Sequence, residues 1–203
     1  MTKMLLVIDM TNGLTDPKSP GSLFKNEESA ERVIVPVNQL ISEFKERDFP
    51  VVFVKVAFNE NYSDCLEHSS LFCTLKQFGV LKNGNWDTFF NPKLNYKEGD
   101  TVLIKKGISA FSKTNLADLI RELEVEEVVL TGLSTDKAIH ATAIQLHDSD
   151  MPVTVISDAC AAANDEIHQT LLHTLAEGIA RVTTVEDYVC YLEESTRSSL
   201  TCS

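Results

Sequence analysis

Apolar and polar positions follow two rhythms along the chain, and the changes between them outline its elements. Residues 4–10 (MLLVIDM) form an apolar run interrupted by Asp9, the pattern of a strand buried on both faces. Residues 28–47 set Val33, Val37, Leu40, Ile41 and Phe44 at helical spacing on one face. Pro36 sits inside that stretch and is expected to kink the helix or mark its start. The β-branched run 51–56 predicts a second strand, and residues 101–104 (TVLI) a third. Thr114 is a cap for a helix over 115–124 that buries Leu116, Leu119, Ile120 and Leu123. A fourth strand is expected at 127–131. Ser134 or Thr135 then caps a helix over 136–147, with Asp136 in the first turn, where the dipole favours a carboxylate. Residues 153–157 read as a fifth strand. Asn164 caps a helix running through Glu177, Gly178 ends it, and 180–183 is a short last strand.

This alternation implies an α/β fold, a parallel sheet with helices on both faces. The connection 59–100 breaks the rhythm, with no long amphipathic element but with Tyr62, Phe72, Phe78, Trp86, Phe89, Phe90 and Tyr96. Two readings stay open for it: a lid or oligomer contact, or a satellite core on the sheet edge. One domain is expected over residues 1–193, with 194–203 a polar, Ser/Thr-rich tail.

Composition narrows the partners. The 203 residues carry 18 Lys plus Arg against 30 Asp plus Glu, a net charge of −12, which argues against nucleic acid or an anionic membrane surface as a partner. A local basic pocket is still compatible with that total. Cys65, Cys73, Cys160, Cys190 and Cys202 have neither CxxC spacing nor a clustered zinc pattern, so they read as free thiols in a reducing cytosol. No apolar run approaches the ~18 residues of a membrane span, and the run ending at Asp9 is too short for a signal peptide. A cytoplasmic protein is the expectation.

In open parallel sheets ligands sit at the carboxyl ends of the strands. Three candidates fall there: Asp9 after the first strand, Lys105 and Lys106 after the third, and residues 132–138 after the fourth. The last is a strand, a glycine turn and a helix start, whose unpaired backbone N–H groups suit an anion or oxyanion.

These stretches are LLVIDMTNGL at 5–14, VLIKKGISAFSKTNL at 102–116 and VVLTGLSTDKAIHATAIQLHDSDMPVTVISDACAA at 128–162. In them the chain resembles the isochorismatase-like, or cysteine hydrolase, family over nearly its whole length. The resemblance implies a three-layer α/β/α domain with a six-stranded parallel sheet in the order 3-2-1-4-5-6. It assigns catalysis to Asp9 and to Lys105, the lysine of K-x-x-x-S-A-F, which leaves Lys106 as the extra one. It also implies a non-proline cis peptide between Leu133 and Ser134, and homo-oligomers.

One departure from the family is as informative as the match. Where amidase members carry their nucleophilic cysteine, in a pattern like T-x-x-C-V, this chain has Ala138. Cys160 lies outside the motif, so the thioester route is closed. The resemblance offers a route without a thiol. Isochorismatases proper hydrolyse a vinyl ether to release pyruvate, with the aspartate as general acid and no covalent intermediate. Such an acid needs a raised pKa, which burial supplies and a neighbouring lysine opposes.

A small anionic substrate is then expected, with Lys105, Lys106 and Lys137 as cationic partners. Leu133 and Ser134 supply the amide turn, and Phe111, Tyr62 and Trp86 the pocket walls. No cofactor is expected. Nicotinamidase relatives bind a metal through Asp-x-His after the second strand, and VFVKVAFNENYSD has no histidine. His68, His140, His147, His168 and His173 form no ligand set and read as solvent-facing or capped, with His140 nearest the site.

Other readings remain beside this one. The chain could descend from a cysteine amidase inactivated at 138, or be a binding or oligomer scaffold. A haloacid-dehalogenase phosphatase is weakened by Thr11 where a second aspartate belongs. A receiver domain places its aspartate after a later strand, and no G-x-G-x-x-G supports a dinucleotide site.

Overall fold

Continuous apolar runs demand burial on both faces. The computed structural model, which describes the backbone of residues 2–201 and the side chains of residues 2–194, meets that demand with one parallel sheet. Its strands are β1 (Thr2–Ile8), β2 (Val51–Val56), β3 (Thr101–Lys105), β4 (Val125–Leu133), β5 (Val153–Ala161) and β6 (Arg181–Thr183), in the order β3-β2-β1-β4-β5-β6. The helices are α1 (Asn12–Thr15), α2 (Glu27–Glu46), α3 (Ser70–Gln77), α4 (Leu116–Glu122), α5 (His140–His147), α6 (Asp165–Ala176) and α7 (Val185–Thr201).

Alternation along β1 divides the core in two. Met4, Leu6 and Ile8 meet α4, α5 and α6 through Leu116, Ile120, Ala143, Leu146, Leu172 and Leu175. Leu5 and Val7 face α2 and α7, against Val33, Val37, Leu40, Phe44 and Tyr188. This is the expected three-layer α/β/α arrangement, in the expected strand order.

Several local expectations shift. Helix α2 begins at Glu27, capped by Asn26 in a reciprocal box with Ser29, so Pro36 lies inside the helix and does not start it. Its buried stripe of Ala30, Val33, Ile34, Val37, Leu40, Ile41 and Phe44 outweighs the one backbone bond that proline removes. Asn115 is the N-cap of α4, and the Thr114 hydroxyl binds the Ala110 carbonyl at 2.7 Å. Residues 194–201 of the expected tail are the helical backbone of α7, and 202–203 lie outside the described residues. The insertion 59–100 carries α3, a 3₁₀ turn at Trp86–Thr88, and a satellite cluster in which Phe58 meets Tyr62, Cys65, Phe72 and Leu81.

Strand order reverses between β1 and β4, and Gly132 makes that seam possible. It pairs with Ile8 at φ +106°, where an added Cβ would lie 2.1 Å from the Ile8 carbonyl oxygen. Gly132→Ala is therefore expected to lose about 3 kcal/mol or more, from backbone strain plus a clash with main chain. A urea midpoint within error of wild type would contradict this role.

Candidate functional site

Asp9 follows the last residue of β1 and takes a positive φ of 55°, a conformation that aspartate tolerates better than most residues. The turn sends its carboxylate sideways over the strand ends. Oδ1 accepts from the Val56 N–H at the end of β2 at 3.0 Å, and Oδ2 meets Lys105 Nζ at the end of β3 at 2.7 Å. Asp9 is 5% exposed and Lys105 2%. Burial raises the Asp9 pKa above the ordinary carboxylate range. The Lys105 charge and hydrogen bond, with the Val56 N–H, pull the other way without cancelling it.

Lys105 Nζ also donates to the Ile108 carbonyl at 2.6 Å, inside the loop that carries Ser109-Ala110-Phe111. That loop is fastened to α5: the Ala110 N–H donates to Thr142 Oγ1 at 3.0 Å, and Ser109 Oγ donates to Gln145 Oε1 at 2.8 Å. The motif residues thus place the carbonyl that holds the lysine.

After β4 the peptide bond between Leu133 and Ser134 is cis, as the resemblance implied. The chain then makes a wide π-type turn, Thr135–Ile139, before α5. The N–H groups of Lys137 and Ile139 both donate to the Ser134 carbonyl, each at 3.1 Å. Ala138 is 3% exposed and packs into the same core as Ile139 and Ala143. Thr135 is fully buried, with Oγ1 2.8 Å from His168 Nδ1 on α6. Cys160 lies in β5 with its thiol toward the Leu130 carbonyl, and burial drives its pKa far up, so it holds no thiolate to stand in for the missing one.

The expected residues divide in space. Asp9 and Lys105 meet. Phe111 lies against the core cluster that holds Ala138. Lys106 turns away from Lys105: its Nζ binds Asp64 at 2.7 Å and the Ala57 carbonyl at 2.5 Å, clamping the start of the insertion. Lys137 pairs with Asp136 on a half-exposed surface at 2.5 Å. The Tyr62 ring sits in the satellite cluster, with its hydroxyl donating to the Val80 carbonyl at 2.7 Å. Trp86 is 50% exposed, and its carbonyl accepts from Asn12 Nδ2 at 3.1 Å.

Among the described residues, no group of three or more His, Cys, Asp or Glu side chains is arranged to hold a metal. No described helix is long and apolar enough to cross a membrane. His168 is the site neighbour that sequence reasoning missed; its only signal was its position four residues after the Asn164 cap.

The isochorismatase domain matches residues 3–187. The uncharacterized isochorismatase family protein YecD of Escherichia coli O157:H7 is 27% identical over 92% of this chain and 94% of its own. A Bacillus subtilis (strain 168) protein named isochorismatase is 26% identical over 85% of this chain and 52% of its own. The crystal structure of an isochorismatase-like hydrolase from Alkaliphilus metalliredigens superposes with a TM-score of 0.78 at 25% identity, covering 94% of this chain and 98% of that one.

Lys105→Met is expected to move the Asp9 pKa still higher, since desolvation stays and the opposing charge goes. The carbon-13 shift of the Asp9 carboxyl against pH reads it. Because the acid then takes up a proton, the stability loss should stay below the about 3–5 kcal/mol of an orphaned buried charge. An unchanged Asp9 titration would mean that the pair is not coupled.

Proposed function

Because the chain belongs to the isochorismatase family of hydrolases, we propose that it hydrolyses a small anionic vinyl ether such as isochorismate, releasing pyruvate without a metal or a covalent intermediate. One observation carries the reading: a buried aspartate of raised pKa faces a buried lysine, while the nucleophile position is a methyl group.

The chemistry needs only those parts. Protonated Asp9 gives its proton to the enolpyruvyl methylene carbon, and the adjacent carbon becomes oxocarbenium-like. Water adds there and returns a proton to Asp9. The resulting hemiketal breaks to pyruvate and the alcohol. Lys105, held by the Ile108 carbonyl, steadies the transient Asp9 carboxylate. Lys106 and Lys137 are drawn away by other aspartates, so Lys105, whose partner Asp9 is neutral once protonated, and those amides of 134–138 that the turn does not use are the partners for the substrate's negative charge. Leu133, Ser134 and Phe111 contribute to binding, and the insertion, clamped through Lys106, acts as the lid carrying Trp86.

Ala138 itself favours a second reading, an amide hydrolase scaffold without its thiol. Retention of the Asp9–Lys105 pair supports the vinyl-ether route over it, since that route needs the acid and the lysine but no thiol.

Purified protein incubated with isochorismate should release pyruvate, and a metal chelator should leave the rate unchanged. The rate should fall as pH rises through the raised Asp9 pKa, because a general acid works only in its protonated form. Asp9→Asn should lower it by roughly 10²–10⁴-fold. Correctly folded protein that releases nothing would sink the vinyl-ether reading. Turnover of small amides by Ala138→Cys, with no pyruvate from wild type, would establish the amidase lineage instead.

A further inference from the structure

A fully buried hydroxyl must find a hydrogen-bond partner or forfeit its solvation. Thr135 finds its partner outside its own element, in His168 of α6, 2.8 Å away. The turn it belongs to is closed only by its own backbone, with the Lys137 and Ile139 N–H groups on the Ser134 carbonyl and the His140 N–H on the Thr135 and Lys137 carbonyls, and none of these bonds reaches α6. Helix α6 is fixed independently, by Leu172 and Leu175 in the core, and capped by the Asn164 side chain accepting from the Ile167 N–H at 2.9 Å. A second strand joins in. Beside His168 lies the carbonyl of Ser157, in the stretch where β5 slips register against β4.

We propose that His168 is a positioning residue that holds the turn after β4, and with it the amides of residues 134–138, through the Thr135 hydroxyl. Burial lowers the His168 pKa, so the ring is neutral near neutral pH and one nitrogen keeps a lone pair. The nearby Ser157 carbonyl favours a proton on the ring nitrogen that faces it. Nδ1 is left as the acceptor, and the Thr135 O–H donates to it. Helix α6 and the turn are thereby tied at one point, the residue that opens the turn carrying Ala138. The effect on turnover rests on the function proposed above; the effect on the turn does not.

Nitrogen-15 shifts of the wild-type ring test the tautomer directly. A bare Nδ1 and a protonated Nε2 at neutral pH are expected, and a protonated Nδ1 would overturn the proposal. In His168→Ala, amides 134–139 should exchange with deuterium about tenfold faster, while β1 and α2 keep wild-type rates. His168→Asn, which returns an acceptor oxygen near the Nδ1 place, should restore protection to within about threefold; His168→Gln should not. Thr135→Val, which removes only the donor, should match His168→Ala and serves if that variant fails to fold.

Where pyruvate release is measurable, His168→Ala should lower kcat about tenfold with KM within about twofold, and His168→Asn should recover it. Wild-type protein that releases no pyruvate removes the proposed function, and the exchange rates still decide the role of His168. Wild-type exchange in His168→Ala, or no recovery in His168→Asn, would end the proposal.

Discussion

Burying Asp9 and Lys105 together commits the whole carboxyl edge of the sheet. Two desolvated charges are tolerable only when they meet each other and their remaining hydrogen-bonding capacity is filled. Here the acid leaves β1, crosses the end of β2, where the Val56 N–H fills one oxygen, and reaches the lysine that ends β3. The lysine in turn needs the Ile108 carbonyl, and that loop needs α5. Three strand ends, one loop and one helix are therefore positioned by a single contact. The same arrangement suits the proposed chemistry, because desolvation keeps the acid protonated to higher pH and the lysine stands beside the carboxylate that forms when the proton leaves.

What was legible in the sequence follows from how each feature is encoded. The strands were visible because their apolar runs are nearly unbroken, but their order came only with the family resemblance. Strands β4 and β5 extend past their apolar runs, to Leu133 and Ala161, where Gly132 pairs with Cys160 between β4 and β5 through small side chains that no hydrophobic pattern marks. The lysines show the limit of proximity in sequence. Lys105 and Lys106 are neighbours that bind different aspartates, and Lys137, close to position 138 in the chain, turns outward to Asp136. His168 reads alone as an ordinary half-exposed helical residue. Its partner lies 33 positions away, and only the fold brings them together.

Ala138 separates structure from catalysis. Its methyl group sits in the apolar cluster with Ile139, Ala143 and Leu146, so the site closes around it as core. The strands, the turn and the buried ion pair stand without a nucleophile. An architecture of this kind can lose or change its chemistry at one position and keep its fold, which is why fold alone does not name a substrate.

The backbone of Asp9 carries a consequence of its own. Position 9 is screened for charge and for handedness at once, since its φ of 55° admits glycine, asparagine and aspartate far more readily than other residues. Glutamate keeps the acid but strains the turn. Glycine relaxes the turn and removes the acid. Asparagine keeps the turn and can no longer give up a proton. No other side chain meets both demands, so a substitution at position 9 gives up either the acid or the relaxed turn.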